Sequence, residues 1–300
     1  MRIRLDIAYD GTGFRGWARQ PSLRTVQGVL EAALHRIFGA YAPGADDAHA
    51  PAPRLVVAGR TDAGVHAAAQ VAHLDLSPEQ WARLANDRRA QRDGDPASGL
   101  ARRMNGILRA DEDVTVTASR TAPEGFDARF SAVWRRYEYR VADDITGYRP
   151  LDRFNTTPVR GALDVHAMDA AASTLIGLHD FAAYCRPREG ATTIRTLLDY
   201  SWHRDDAGTL VAGVRADAFC HSMVRALVGA CVAVGSGRLA PEEVAQLRDA
   251  GQRTSEFKVL AARGLTLMEV GYPADELLAD RAAQTRGRRT LGDGAPAATT

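Results

Sequence analysis

Apolar and polar residues alternate from Ile3 to Tyr9, with β-branched content, which is the period of a half-buried strand. Val26, Leu30, Leu34 and Ile37 then recur at helical spacing, with Thr25 placed as an N-cap and Gly39 just past the last turn. Leu55 to Ala58 reads as a short buried strand, and Ala68 to Leu76 as another whose alternation is less clean. Ser77-Pro78-Glu79 is a helix start, with a capping serine and a proline at the first helical position, and predicts a helix to about Asn86. Leu100 to Leu108 is a second helical run and Val114 to Thr117 a strand of β-branched residues. Between these elements, Tyr41 to Pro53 reads as a surface insertion and Asp87 to Ser98 as a charged loop. The order strand, helix, strand, strand, helix, helix, strand approximates a ferredoxin-like, or split βαβ, unit.

The second half repeats that grammar without obvious sequence identity. Trp134 to Val141 reads as a strand and Val165 to Ile176 as a helix. Thr193 to His203 and Leu210 to Arg215 form a hairpin about Asp205-Asp206-Ala207-Gly208. His221 to Val234 and Pro241 to Ala250 read as helices, and Leu265 to Val270 closes as a strand. The expectation is an α+β protein of two ferredoxin-like halves, residues 1–121 and 122–280, whose sheets either face each other or run on across a cleft. Residues 281–300, polar and rich in Ala, Gly and Thr, read as a disordered tail.

Composition narrows the class. Three hundred residues with 45% hydrophobic and 25% charged content describe a soluble globular chain with ample core. A formal net charge of +1 means that any nucleic-acid contact must come from a local basic face. Lys258 is the only lysine; an arginine-biased coding composition explains that as well as function does. Cys185, Cys220 and Cys231 have no zinc-type spacing and are expected to be reduced, mostly buried thiols. Met1 to Asp6 enters a strand directly, with no signal-peptide pattern, and no apolar run approaches the roughly 18 residues that span a bilayer. A cytoplasmic protein without membrane contact is the expectation.

The candidate chemistry is concentrated in Gly59-Arg60-Thr61-Asp62-Ala63-Gly64-Val65-His66, a turn that holds two glycines, a guanidinium and a carboxylate between two strands. By itself it is compatible with an Asx-type turn in which Asp62 caps local amides. Arg225 is the second unusual residue: it sits in the apolar run Met223-Val224-Arg225-Ala226-Leu227-Val228, where an unpaired guanidinium is costly to bury, so an anion should meet it. Tyr137 and Tyr139 alternate along Arg135-Arg136-Tyr137-Glu138-Tyr139 and so share a face. Asp10-Gly11-Thr12 ends a strand in the manner of D-x-D-G-T phosphatases, but Ala8 stands where the nucleophilic aspartate would be.

Five separated blocks resemble the pseudouridine synthases, specifically the tRNA pseudouridine synthase A branch. They are Tyr9-Asp10-Gly11-Thr12-Gly13-Phe14 with Gly16-Trp17 and Gln20; the Gly59 to Ala67 turn; Phe126 to Ala132 running into Arg135 to Tyr139; His179-Asp180-Phe181; and Met223-Val224-Arg225 followed by Gly229. The resemblance implies a bilobed α+β catalytic domain with a long mixed sheet and a central cleft. It implies that Asp62 is the catalytic carboxylate, Arg225 its ion-pair partner, Tyr137 the residue stacking on the target base, and Arg60 a side chain that helps extrude the uridine. His66, Gln20, Trp17 and Arg19 become candidate RNA contacts. The implied activity is conversion of uridine to pseudouridine at positions 38, 39 and 40 of the tRNA anticodon stem-loop, by a homodimer, with no metal or organic cofactor. The rival from another class is a non-catalytic RNA-binding module on the same ferredoxin-like sheets.

Overall fold

The computed structural model describes residues 1–39, 53–86, 94–109, 112–147, 149–188, 190 and 192–286. Most of the expected 41–53 insertion, and residues 87–93 of the charged loop, lie outside them. The chain divides into two units: Met1–Ala132 together with Tyr272–Arg286, and Val133–Gly271.

In the first unit β1 (Arg2–Tyr9) is the central strand, and its alternation is the observed one: Ile3, Leu5 and Ile7 are buried while Arg4, Asp6 and Ala8 are not. α1 (Val26–Phe38) begins where Thr25 Oγ1 accepts the Gly28 amide, at 3.2 Å, satisfying one of the unpaired donors of its first turn. The short β2 (Val56–Val57) and β3 (His66–Asp75) follow. A reciprocal cap between Ser77 and Gln80 starts α2 (Pro78–Ala85). α3 (Ser98–Leu108) packs on α1 and on β4 (Val114–Thr121). β4 pairs with β1, β1 with β3 and β3 with β2, all antiparallel, which is the strand order of a ferredoxin-like sheet.

The second unit has the same topology. β5 (Trp134–Ala142) is flanked by β10 (Leu265–Gly271) and β9 (Leu210–Ala216), and β9 by β8 (Ile194–Arg204), all antiparallel. Two short strands extend it: β6 (Thr157–Pro158), parallel to the end of β5, and β7 (Gly177–Asp180) on β8. α4 (Val165–Ser173) packs on β8 and on α5 (Met223–Gly235), and α6 (Glu243–Asp249) follows. The expected α+β class with a mixed sheet is therefore the observed one. α4 ends three residues before its apolar run does: Thr174 Oγ1 turns back to the Ala171 carbonyl at 2.7 Å, and Gly177, at φ +125°, opens β7.

Three expectations need correcting. The first unit does not stop at 121. Ala128 donates its amide to His73 Nδ1 at 3.0 Å, Tyr272 donates its hydroxyl to the Ala128 carbonyl at 2.7 Å, and Ser131 donates to the Leu278 carbonyl at 3.0 Å. These bonds draw both 122–132 and 272–286 into it. Nor does the tail begin at 281. α7 (Leu278–Thr285) continues through those residues because Leu278 and Ala282, one turn apart, are buried at 1% and 4% exposure; the rest of the tail, from 287, is not described. Finally, Cys185 and Cys220 are not separate thiols. They form a disulfide pair with Cα atoms 5.7 Å apart, a separation within the disulfide range, which leaves Cys231 free and buried.

Candidate active site

The Gly59–Val65 turn links β2 to β3, and several of its backbone groups are bonded to the facing loop, to β3 or across the turn itself. Trp17 donates its amide to the Thr61 carbonyl at 3.0 Å, Val65 to the Asp62 carbonyl at 3.2 Å, and Gly64 to the Phe14 carbonyl at 3.3 Å. Gly59 presents its carbonyl to Gln70 Nε2 at 2.9 Å. Two glycines of the facing loop allow this closeness. A Cβ on Gly11 would run into the Val65 carbonyl; one on Gly16, where φ is +91°, would lie 3.0 Å from the Thr61 oxygen and 3.3 Å from the Ala63 nitrogen.

Within this frame Arg60 is exposed, Thr61 is 7% exposed and Asp62 is half-buried. Position alternates with role: the hydroxyl between them turns inward, while the cation and the carboxylate sit at or near the surface. A carboxylate carried on a rigid backbone can serve as nucleophile or base with little reorganisation.

Of the expected RNA contacts, Trp17, Arg19 and Gln20 lie in the facing loop and His66 opens β3, and they divide by exposure. Gln20 and Arg19 are exposed; Gln20 Nε2 donates to the Arg15 carbonyl at 3.1 Å, and the Arg19 guanidinium lies 3.9 Å from Glu31. Trp17 and His66 are instead internal, at 1% and 6% exposure. The Trp17 ring packs 6.1 Å from that of Tyr9. His66 Nδ1 stands 3.0 Å from the Gly11 amide and 3.1 Å from Asp10 Oδ1. A single ring nitrogen cannot accept from the amide and donate to the carboxylate at once, so Nδ1 serves one of these two partners at a time. Both residues are buried beside the turn, Trp17 through its amide bond to Thr61 and His66 as the first residue of β3. Asp10 itself is committed locally: its Oδ1 accepts the Thr12 amide at 2.9 Å and hydroxyl at 2.6 Å. Burial alone would raise its pKa, but these Thr12 bonds and the nearby His66 outweigh it and hold the carboxyl below its ordinary value.

Tyr137 and Arg225 belong to the second unit. Tyr137, on β5, is 8% exposed, and the Phe219 ring meets it edge-on at 5.1 Å. Tyr139 is a core aromatic: fully buried, it donates to the Ala261 carbonyl at 2.7 Å and pairs with Thr157 Oγ1 at 2.8 Å, and burial pushes its phenol up to about 12. Every residue of α5 is buried except Arg225, which projects from its first turn. Its guanidinium donates to the Leu260 carbonyl at 3.2 Å and to Ser222 Oγ at 3.0 Å, while its own carbonyl accepts the Leu260 amide at 3.2 Å. Gly229, one turn on, lets the chain at Lys258 cross against the helix, since a Cβ there would collide with the Lys258 carbonyl. The glycine of this block is thus explained by packing. Among the described residues no cluster of His, Cys, Asp and Glu suits a metal ion.

Two ferredoxin-like units, one of them presenting a carboxylate and a guanidinium on a braced turn, define the chain as an α+β protein with a candidate catalytic carboxylate. Comparison with known proteins makes this specific. The family model described as tRNA pseudouridine synthase matches residues 171–273. The tRNA pseudouridine synthase A of Leifsonia xyli is 60% identical over 97% of this chain and 98% of its own, and that of Frankia casuarinae is 53% identical over 96% of each. The protein of the same name from Cutibacterium acnes is 50% identical over 97% of this chain and 96% of its own. The chain belongs to the tRNA pseudouridine synthase A family. Among solved structures, the dye-decolorizing protein from V. cholerae aligns over 93% of this chain and 95% of its own at 10% identity with a TM-score of 0.21, too low to inform the fold.

Proposed function

We propose that this protein isomerises uridine to pseudouridine in transfer RNA, at positions 38, 39 and 40 on the 3′ side of the anticodon stem-loop, acting as a cytoplasmic homodimer. The observation that carries the reading is the braced Gly59–Val65 turn, which carries Arg60 and Asp62 two positions apart on a backbone bonded to Trp17, Gln70 and Phe14. Membership of the family supplies the substrate class. No described helix is long and apolar enough to cross a membrane.

The reaction breaks the bond from uracil N1 to the ribose, turns the freed base and rejoins it through C5. The C5 hydrogen leaves as a proton and N1 gains one, so the conversion is redox-neutral and calls for no electron carrier. In this reading Asp62 attacks the sugar or the base, or removes a sugar proton. To do so it must stay ionised in a water-poor site, which requires a cation, and Arg225 has that role. Tyr137 stacks on the extruded base, a contact worth about 1 to 3 kcal/mol. Arg60 helps extrude the uridine, whose reacting atoms are otherwise hidden in the stem. Its exposure suits that task.

The test is to incubate the protein with an unmodified tRNA transcript and map carbodiimide-reactive positions. Modification confined to 38–40 supports the proposal; tRNA binding with no product at any position makes the chain a binding module instead. Sedimentation of the protein at working concentration reads the dimer directly.

A further inference from the structure

We propose that Gln70 and Tyr9 are positioning residues for the reaction: a buried relay from Gln70 through Tyr9 to Thr61 sets the backbone on which Asp62 is carried. Gln70 is fully buried on β3, opposite Ile7 of β1, where a side-chain amide is costly unless every polar atom is bonded. All of its groups are committed. Nε2 donates to the Gly59 carbonyl at 2.9 Å and to Tyr9 Oη at 3.3 Å, and Oε1 accepts the Val71 amide at 3.2 Å. Tyr9 Oη lies 2.8 Å from Thr61 Oγ1.

The direction of the relay follows from the inventory of donors. A carbonyl only accepts and an amide N–H only donates, so Gly59 and Val71 fix which end of the Gln70 amide faces the turn. Tyr9 oxygen therefore accepts from Gln70, and donation of its one hydrogen to Thr61 Oγ1 is the arrangement that leaves the buried phenol hydrogen partnered. Burial pushes the Tyr9 phenol up to about 12, so it remains a neutral donor through the working range. Aligned bonds of this kind polarise one another in a dry interior. The result is that Thr61 is held at both oxygens, its hydroxyl by Tyr9 and its carbonyl by Trp17, while Gly59 is held by Gln70. These anchors flank Arg60, and Thr61 immediately precedes Asp62. Tyr9 and Gln70 act through Thr61 from beneath the turn.

The inference rests on Asp62 being the reacting carboxylate, and the experiment separates the two. Single-turnover rates of pseudouridine formation and tRNA dissociation constants are measured for the wild type, Tyr9→Phe, Gln70→Leu, Thr61→Val, Thr61→Ser, the double variant Tyr9→Phe/Thr61→Val, and Asp62→Asn. The expected result is a rate loss of about tenfold to a hundredfold in Tyr9→Phe and Thr61→Val, the scale of a small misplacement of a reacting group. Dissociation constants stay within about twofold, Thr61→Ser retains most of the rate, and the double variant is no slower than Tyr9→Phe, which already removes the Tyr9–Thr61 bond that Thr61→Val deletes, as well as the one from Gln70. Wild-type rates in Tyr9→Phe and Thr61→Val, or losses that multiply in the double variant, overturn the positioning role while Asp62→Asn remains inactive. Activity in Asp62→Asn overturns the reading of the turn together with it. Thr61→Val and Thr61→Ser differ at the edge of the network, so the comparison survives if Gln70→Leu does not fold.

Discussion

Gly16→Ala separates the conformational cost of a residue from the contact it makes. Gly16 has φ +91°, and an alanine there carries a left-handed penalty of about 1 to 2 kcal/mol. Gly161 has φ +87°, and a Cβ on it would find nothing within 4 Å. Gly161→Ala therefore carries the backbone penalty alone. At Gly16 the new methyl would stand 3.0 Å from the Thr61 oxygen, 3.3 Å from the Ala63 nitrogen and 3.4 Å from the Asp62 carbonyl carbon, all backbone atoms with little freedom to yield. Such overpacking adds about 1 to 3 kcal/mol. The Gly16 carbonyl also accepts the Val26 amide at 3.2 Å, so relief by moving residue 16 disturbs the start of α1. Urea unfolding of both variants should show Gly16→Ala less stable than Gly161→Ala by that extra amount. The turn itself must shift by a few tenths of an ångström, so kcat on a tRNA transcript should fall about tenfold in Gly16→Ala, equivalent to about 1.4 kcal/mol, and not at all in Gly161→Ala. Equal stability losses with full kcat in both would refute the argument that close approach of the Gly16 loop holds the turn in place.

Two other outcomes follow from the second unit. Asp143 has a fully buried side chain that accepts from Arg204 at 2.6 and 3.1 Å and from the Leu163 and Thr146 amides at 3.0 and 3.1 Å. Burial would raise its pKa, but the Arg204 guanidinium and these donors outweigh that and hold the carboxyl well below the usual carboxylate range. Its stabilisation is therefore complete above the unfolded value of about 3.9 and is lost as pH falls from there towards the folded value. Asp143→Asn should cost about 3 to 5 kcal/mol at pH 7, the scale for breaking a buried pair, with the gap to wild type narrowing below about pH 4; an undiminished gap at pH 3 contradicts this. The Cys185–Cys220 pairing predicts that protein unfolded without reductant alkylates at Cys231 alone, and at all three cysteines after reduction, whereas three labels in both conditions exclude the disulfide.

The elements that could be read from sequence are those with a strong period or an explicit cap. β1 alternates cleanly, α1 and α2 carry Thr25 and Ser77 at their starts, and α5 is apolar on every side but one. What escaped had a weak or non-local signal. β7 is four residues long, α7 buries only two side chains, and the cysteine pair closes a loop of 35 residues that spacing alone does not announce. The uneven alternation of the strand after the turn had a cause in Gln70 and His73, both buried and each serving a specific backbone partner, Gly59 and Ala128. A polar side chain at a core position of an apolar strand was the visible trace of the relay. His66 belongs to the turn block and Trp17 to the block from Tyr9 to Gln20, and residue type does not reveal how deeply either side chain is buried. The structure leaves Trp17 1% and His66 6% exposed.

The most direct measurement is pseudouridine formation by Asp62→Ala and Asp62→Asn, each matched to wild type in thermal stability and tRNA affinity, with positions 38 to 40 of an unmodified transcript mapped by carbodiimide. The account predicts product from the wild type and none above background from either variant; product formed at the wild-type rate by either one would contradict it.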